Sequence, residues 1–225
     1  MSAKAAPRVI VLHSGGLDST LCLLLARKHG RTPISVGLNY GQRQLVELGY
    51  AANQCARFGI ERRVLEVSWN RPAIEIPKDR SVAEMKAGIA PTFVPGRNAV
   101  FLALACAEAA GADATEVWLG VNAVDYSGYP DCRESFLTAF RKMWAEAVPN
   151  GPKIVAPLVT LTKPEIAKLA GELGLQRGDT WSCYAPDMSS GVAAPCGHCD
   201  ACLLHEHAWA EADKAAPPAP AIPPL

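Results

Sequence analysis

Short apolar runs alternate with longer amphipathic ones along most of this chain. Arg8 to His13 carries Val-Ile-Val-Leu, the pattern of a buried strand, and Ser19 to His29 follows as a leucine-rich helix closed by Gly30. Ile34 to Leu38 predicts a second strand, Gln44 to Phe58 a helix stopped by Gly59, and Val64 to Val67 a third strand. A helix over Arg97 to Gly111 and a strand over Glu116 to Val121 resume the alternation. The loop Asn122 to Cys132, an amphipathic helix from Arg133 to Val148 and a strand at Lys153 to Ala156 come next. Thr162-Lys163-Pro164-Glu165 reads as a capping box that opens a helix ending near Gly174. Alternation at this spacing predicts parallel crossover units, hence an α/β fold.

Two stretches break the pattern. Ser68 to Pro95 holds Pro72, Pro77, Pro91 and Pro95 without a sustained period, which predicts a long irregular connection of the kind that covers sites. From Ala215 onward the chain is almost wholly alanine and proline, a composition that predicts a disordered tail. The expected organisation is an α/β domain over 1–178, a cysteine-bearing segment packed on it over 179–212, and the tail over 213–225.

Composition narrows the chemistry. With 225 residues, 49% of them hydrophobic, the chain buries one sizeable core. Its 22 Lys and Arg balance 22 Asp and Glu, so no overall positive field draws in nucleic acid, and small-molecule work is the expectation. No stretch approaches the roughly 20 apolar residues of a membrane span, and no signal peptide is visible, so the cytoplasm is the expected compartment. Four of the eight cysteines crowd the C-terminal end, which suggests a metal rather than a disulfide framework.

Ser14-Gly15-Gly16-Leu17-Asp18-Ser19 lies between the first strand and the first helix. That context gathers backbone N–H groups and the positive end of a helix dipole at one spot, which suits a phosphate or pyrophosphate. Gly15 and Gly16 permit close approach of the backbone, and Ser14, Ser19 and Thr20 add hydroxyls. Asp18 either caps the helix or helps hold magnesium. The loop is neither GxxxxGK[ST] nor GxGxxG.

Cys196, Cys199 and Cys202 are spaced two residues apart, and Cys183 upstream supplies a fourth thiol. Four soft sulfurs suit structural zinc, with every tetrahedral position filled by protein. His198 or His205 in place of Cys183, and an iron–sulfur cluster in place of zinc, are alternatives at this level.

The Ser-Gly-Gly-x-Asp-Ser loop resembles the PP-loop of the ATP pyrophosphatases, enzymes that split ATP between the α and β phosphates to activate a substrate as an adenylate. Tyr40-Gly41-Gln42-Arg43, Val94-Pro95-Gly96-Arg97-Asn98 and the late segment Asp125 to Arg133 then line up with the cysteine cluster. Over residues 8 to 209 the chain resembles the 7-cyano-7-deazaguanine synthase family of queuosine biosynthesis. That resemblance implies a Rossmann-like parallel sheet, of the adenine nucleotide α hydrolase type, with helices on both faces and a small zinc-binding segment. It implies ATP-dependent conversion of 7-carboxy-7-deazaguanine and ammonia to the nitrile through adenylated carboxylate and amide intermediates, with magnesium, structural zinc and a homodimer. Asp18, Ser19, Arg97 and Lys163 are the implied catalytic groups, and Ser14, Gly15, Gly16, Asp18, Ser19 and Thr20 the nucleotide contacts. Tyr40, Gln42, Arg43, Asn98, Asp125, Tyr126, Tyr129 and Asp131 are the implied substrate contacts, a carboxylate and an aromatic face being what a guanine-like edge requires. The chain departs from the family in a longer span between Cys183 and Cys196, and in Leu204-His205 where an arginine is common.

Cys132 reads as a small buried residue rather than a nucleophile, as do Cys22, Cys55 and Cys106. His13 reads as a satisfied strand-end histidine. The rival enzymes are PP-loop proteins that modify tRNA, but the chain has no basic stretch or added domain to hold RNA. A zinc-ribbon binding module is the rival from another class.

Overall fold

The computed structural model describes residues 5–42, 45–70, 72–85, 88–123 and 128–214. Arg43, Asp125, Tyr126 and the Ala/Pro tail lie outside them. Five strands, β1 (Arg8–Leu12), β2 (Thr32–Asn39), β3 (Glu61–Glu66), β4 (Glu116–Trp118) and β5 (Lys153–Val155), form one sheet in the order β3-β2-β1-β4-β5. Every pairing is parallel. Helices α1 (Leu17–Lys28), α2 (Val46–Phe58), α3 (Val82–Met85), α4 (Arg97–Gly111), α5 (Glu134–Ala147), α6 (Lys163–Glu172) and α7 (Asp200–Lys214) complete the chain.

Alternation along each strand divides the core in two. Val9, Val11 and Trp118 enter one cluster with α1, Cys55 of α2, Ile166 and Leu169 of α6, and Ala208 and Trp209 of α7. Ile10, Val117 and Ile154 enter the other with Leu102, Ala105 and Cys106 of α4 and Leu137 and Phe140 of α5. Helices therefore cover both faces, as a parallel sheet demands. Layering also explains why α1 is buried nearly all round: α6 packs on it and α7 packs on α6.

Three elements differ from the sequence expectation. β3 begins three residues earlier than predicted, because its polar start is an edge strand whose Arg63 pairs with Glu61 and with Glu108 of α4. β4 ends at Trp118, and the chain beyond it runs as irregular backbone into the site. α7 has no counterpart in the sequence expectation; of its apolar residues, Ala208 and Trp209 are buried in the main core and Cys202 among the cysteines. The connection from 68 to 95 is irregular as expected, with the four-residue α3 and an isolated antiparallel bridge between Lys78 and Cys199 within its described part.

The order of strands places the site. β2 and β3 lie to one side of β1, and the chain then crosses to β4 and β5 on the other. In open parallel sheets ligands bind at that switch point, beyond the carboxyl ends of the strands. The loop after β1 is there.

Candidate active site

Ser14 to Ser19 leaves β1 and enters α1 through two glycines with different tasks. Gly15 has φ of +96°, and a Cβ on it would lie 2.4 Å from the Glu47 carbonyl oxygen of α2. No other residue type fits without displacing α2. Its own carbonyl accepts from the Trp181 N–H at 3.0 Å and from Gln54 Nε2 at 3.1 Å. A similar closeness occurs across the switch point, where a Cβ on Gly120 would be 2.9 Å from the Asp18 carbonyl carbon.

Inside the loop, hydroxyls hold the backbone. The Ser14 N–H donates to Ser19 Oγ at 3.3 Å, and Ser19 Oγ donates to the Gly16 carbonyl at 3.1 Å. Ser14, Gly16, Asp18 and Ser19 line a cavity of about 290 Å³. Thr20 differs from its expected role: it is fully buried, donates to the Gly16 carbonyl at 2.7 Å, and braces the loop from beneath.

Beneath the loop lies a polar network with all its protons assigned by elimination. Gln54 Nε2 donates to Gly15 and to the Asp179 carbonyl at 2.6 Å, so Gln54 Oε1 is the acceptor for His13 Nε2 at 2.8 Å. His13 Nδ1 then accepts from Ser35 Oγ at 2.9 Å, while Ser35 accepts from Arg62 at 2.8 Å. Burial, reinforced by the Arg62 charge, lowers the His13 pKa to about 3, so the ring is neutral. His13 is the satisfied strand-end histidine that the sequence suggested.

Two cations reach the loop from distant parts of the chain. Lys163, first residue of α6, places Nζ 2.5 Å from Asp18 Oδ2. The capping box beside it is made, with the Glu165 carboxylate accepting the Thr162 N–H at 2.7 Å. An ammonium has three donors, so Lys163 can keep Asp18 and still face a phosphate. Arg97, at the start of α4, lines the same cavity. Burial works against its charge, but Tyr40, Tyr184, Tyr129 and Asp131 around it outweigh burial and raise its pKa.

The rest of the cavity wall is aromatic. Tyr40 stacks on Trp69 with ring centroids 5.8 Å apart and meets Phe101 at 5.2 Å. Tyr40, Trp69, Tyr129 and Tyr184 also line an adjoining space of about 260 Å³. A third, of about 210 Å³, extends from the loop toward Arg80, Ser182, Asp200 and His205. Tyr129 and Tyr184 line all three, and Tyr129 exchanges a 2.5 Å hydrogen bond with Thr92.

Some of the expected substrate contacts also brace the fold. Gln42 accepts the Tyr40 N–H at 3.0 Å and donates to the Leu38 carbonyl and to Glu47. Asn98 lines the cavity but gives its side-chain amide to the Asp131 carbonyl and to Cys132 Sγ, each at 3.2 Å. Asp131 Oδ2 accepts the Asn98 N–H at 3.0 Å and so caps α4, while the buried Oδ1 has no hydrogen-bond partner among the described residues. Asp131 is absent from the walls of the three cavities. Cys132 is buried, as expected of a packing residue, although it touches the cavity.

Glu47, Tyr184 and Trp181 are the site residues that sequence reasoning missed. Glu47 lines two of the cavities, and its Oε1 accepts from Gln42 Nε2 at 3.0 Å. Burial is the main cause of a pKa raised to about 7, against the opposing pull of Gln42, Arg97 and Arg62. An acid at the start of an amphipathic helix right after the Tyr-Gly-Gln-Arg segment was the available signal.

The cysteine cluster forms beside this site. The sulfurs of Cys183, Cys196, Cys199 and Cys202 all lie within 4.8 Å of one another, with Cys199 and Cys202 at 3.5 Å. Thiolates around tetrahedral zinc are separated by about 3.8 Å, given bonds of about 2.3 Å, so the donor set fits a metal. The longer span after Cys183 is taken up by a hairpin in which Asp187 and Ala194 exchange hydrogen bonds of 2.8 and 2.9 Å. Its return brings the Cys196 N–H within 3.3 Å of Cys183 Sγ. The alternative histidine ligands are engaged elsewhere: His198 with Asp79 at 2.8 Å, His205 with Ser182 and the Arg177 carbonyl.

Comparison with known proteins agrees with this geometry. The family described as Queuosine biosynthesis protein QueC matches residues 8–213. A protein of Rhodopseudomonas palustris named 7-cyano-7-deazaguanine synthase 2 is 52% identical over 207 residues, covering 92% of this chain and 99% of the relative. A 7-cyano-7-deazaguanine synthase of Myxococcus xanthus is 43% identical, covering 91% and 94%. Among solved structures, an NMN synthetase from Francisella tularensis is similar with a TM-score of 0.50 at 16% identity, covering 95% of this chain and 90% of that one. A U34-tRNA thiolase from Methanococcus maripaludis has a TM-score of 0.50 at 15% identity, covering 94% and 67%. These two likenesses speak for the fold. With the phosphate loop, the aromatic cavity and the four-cysteine centre all carried on a match that spans nearly its whole length, the chain belongs to the queuosine biosynthesis QueC family.

Proposed function

We propose that this chain is an ATP-dependent ligase that converts 7-carboxy-7-deazaguanine and ammonia to 7-cyano-7-deazaguanine. The observation that carries this reading is one cavity with the phosphate loop on one wall and Tyr40, Arg97 and Phe101 on the other, in a chain of this family. ATP is substrate here. Its phosphates lie against Ser14, Gly15, Gly16 and Ser19 at the N-terminus of α1, with Lys163 answering the charge that develops as pyrophosphate leaves. The heterocycle stacks among Tyr40, Trp69, Tyr129 and Tyr184, and its carboxylate is drawn by Arg97 toward the α phosphate.

The carboxylate attacks that phosphorus and pyrophosphate departs, giving the acyl adenylate; ammonia displaces AMP to give the amide. A second adenylation, on the amide oxygen, prepares the loss of AMP that leaves the nitrile. Arg43, Asp125 and Tyr126 belong to the proposed substrate contacts, and Asp131 serves them by holding the start of α4. Magnesium accompanies the ATP phosphates. Zinc is proposed for the four cysteines, where it supplies a structural clamp. The protein is further proposed to be a cytoplasmic homodimer; no described helix is long and apolar enough to cross a membrane.

The test is AMP and pyrophosphate release from ATP. Release that requires the carboxylate and ignores added tRNA is expected. Release that requires tRNA contradicts the reading.

A further inference from the structure

Two acids line both the 290 and the 210 Å³ cavities, and they differ in their partners. Asp18 is held by the Lys163 ammonium. Glu47 receives a hydrogen bond from the Gln42 amide and, among the described residues, has no cation within ion-pair distance. It is also close to the chemistry along the chain: its carbonyl oxygen is the atom that excludes a side chain at Gly15, so the residue stands against the phosphate loop. The reacting carbon must sit at that loop too, because it bonds through oxygen to the α phosphate.

Of the histidines on these walls, His13 is engaged at both ring nitrogens by Ser35 and Gln54, and His205 at both by Ser182 and the Arg177 carbonyl. We propose that Glu47 is the proton acceptor for the nitrogen in both halves of the reaction, a role that rests on the nitrile-forming reading above.

In the first half, the ammonia lone pair forms the C–N bond to the acyl adenylate and the C–O bond to AMP breaks, its electron pair leaving on the phosphate. One N–H proton passes to the Glu47 carboxylate, which returns it to solvent before the next half. In the second, the amide oxygen carries AMP and the nitrogen carries two protons and a positive charge. One proton passes to Glu47. The C–O bond then breaks with its pair going to AMP, the other proton leaves to that phosphate, and the nitrogen electrons close the triple bond. A carboxyl that titrates near 7 suits repeated uptake and release at neutral pH.

The charged and titratable groups set around Glu47 come from every side of the cavities: His13 after β1, Asp18 of α1, Tyr40 after β2, Arg62 of β3, Arg97 of α4, Lys163 of α6, and Tyr129, Cys132 and Tyr184. Arg80, Asp200 and His205 stand at the far side of the smaller one. Of these, His205 is the imidazole whose titration must be separated from that of Glu47, and burial lowers its pKa.

The experiment compares wild type with Glu47→Gln, counting pyrophosphate, amide and nitrile separately. Glu47→Gln is expected to melt no lower than wild type at pH 8 and to keep a carboxylate-dependent burst of pyrophosphate. Its product formation falls by at least about 100-fold, the low end of general base catalysis. The KM for the carboxylate changes by less than about threefold. The rate per free ammonia rises with pH through about 7 in both wild type and His205→Gln. Wild-type product rates in Glu47→Gln, or a raised KM with kcat intact, overturn the proposal. Should Glu47→Gln fail to fold, the wild-type and His205→Gln profiles decide: a limb absent near 7, or lost with His205, overturns it. A wild type that releases no pyrophosphate with the carboxylate removes the underlying reading instead.

Discussion

His13, buried, and Glu47, half-buried, stand beside the same loop with opposite consequences. His13 is neutral and fully hydrogen-bonded, so it supports the loop by shape and donors rather than charge. Its folded pKa of about 3 lies below the unfolded value of 6.5, so the unfolded chain binds the extra proton in between. Stability from this site is complete above pH 6.5 and is lost as pH falls toward 3, at up to about 1.4 kcal/mol per unit. Denaturant midpoints of wild type and His13→Asn between pH 6.5 and 4 check this: wild type should lose stability more steeply with acid, and equal slopes would contradict it. At this scale the sequence was readable where a residue acts through the backbone next to it, as Ser14 to Ser19 do. It was not readable for Gln42 and Asn98, whose amides are committed to neighbours that only folding brings close.

Among elements, the cysteine centre and the phosphate loop prove to be connected. Trp181 donates its backbone N–H to Gly15 and its indole N–H to the Cys183 carbonyl at 2.9 Å, and its ring meets Tyr50 of α2 at 5.3 Å. A metal on the cysteines therefore fixes the strand of chain that holds Gly15. Removing it with a chelator, or through Cys183→Ser, should weaken ATP binding by about fivefold, the worth of roughly 1 kcal/mol for one backbone hydrogen bond. Calorimetry with ATP before and after measured metal release reads this directly; unchanged affinity would mean that the loop stands without the clamp. The spacing of the cysteines announced the centre, and the capping box announced α6. Nothing local announced α7, because its helix is selected by packing of Ala208 and Trp209 on the core more than by an apolar stripe.

Over the whole molecule, alternating strand and helix signals specified a parallel sheet but not the order of its strands. That order follows from chirality and crossover geometry, and it carries β1 to the centre with its loop at the switch point. Lys163 and Asp18 meet there from opposite ends of the chain, a contact that no sequence period could reveal. The irregular connection from 68 to 95 brings Trp69 and Thr92 to the same place, which is why a stretch without pattern matters to the site. On the proposed reading, the site exchanges two carbon–oxygen linkages for a carbon–nitrogen triple bond. Incubation of the purified chain with ATP, isotopically labelled ammonia and 7-carboxy-7-deazaguanine, followed by mass spectrometry, tests it most directly. Labelled 7-cyano-7-deazaguanine with AMP and pyrophosphate is the expected result; ATP turnover to AMP without a labelled nitrile, or no turnover at all, rules the proposed reaction out.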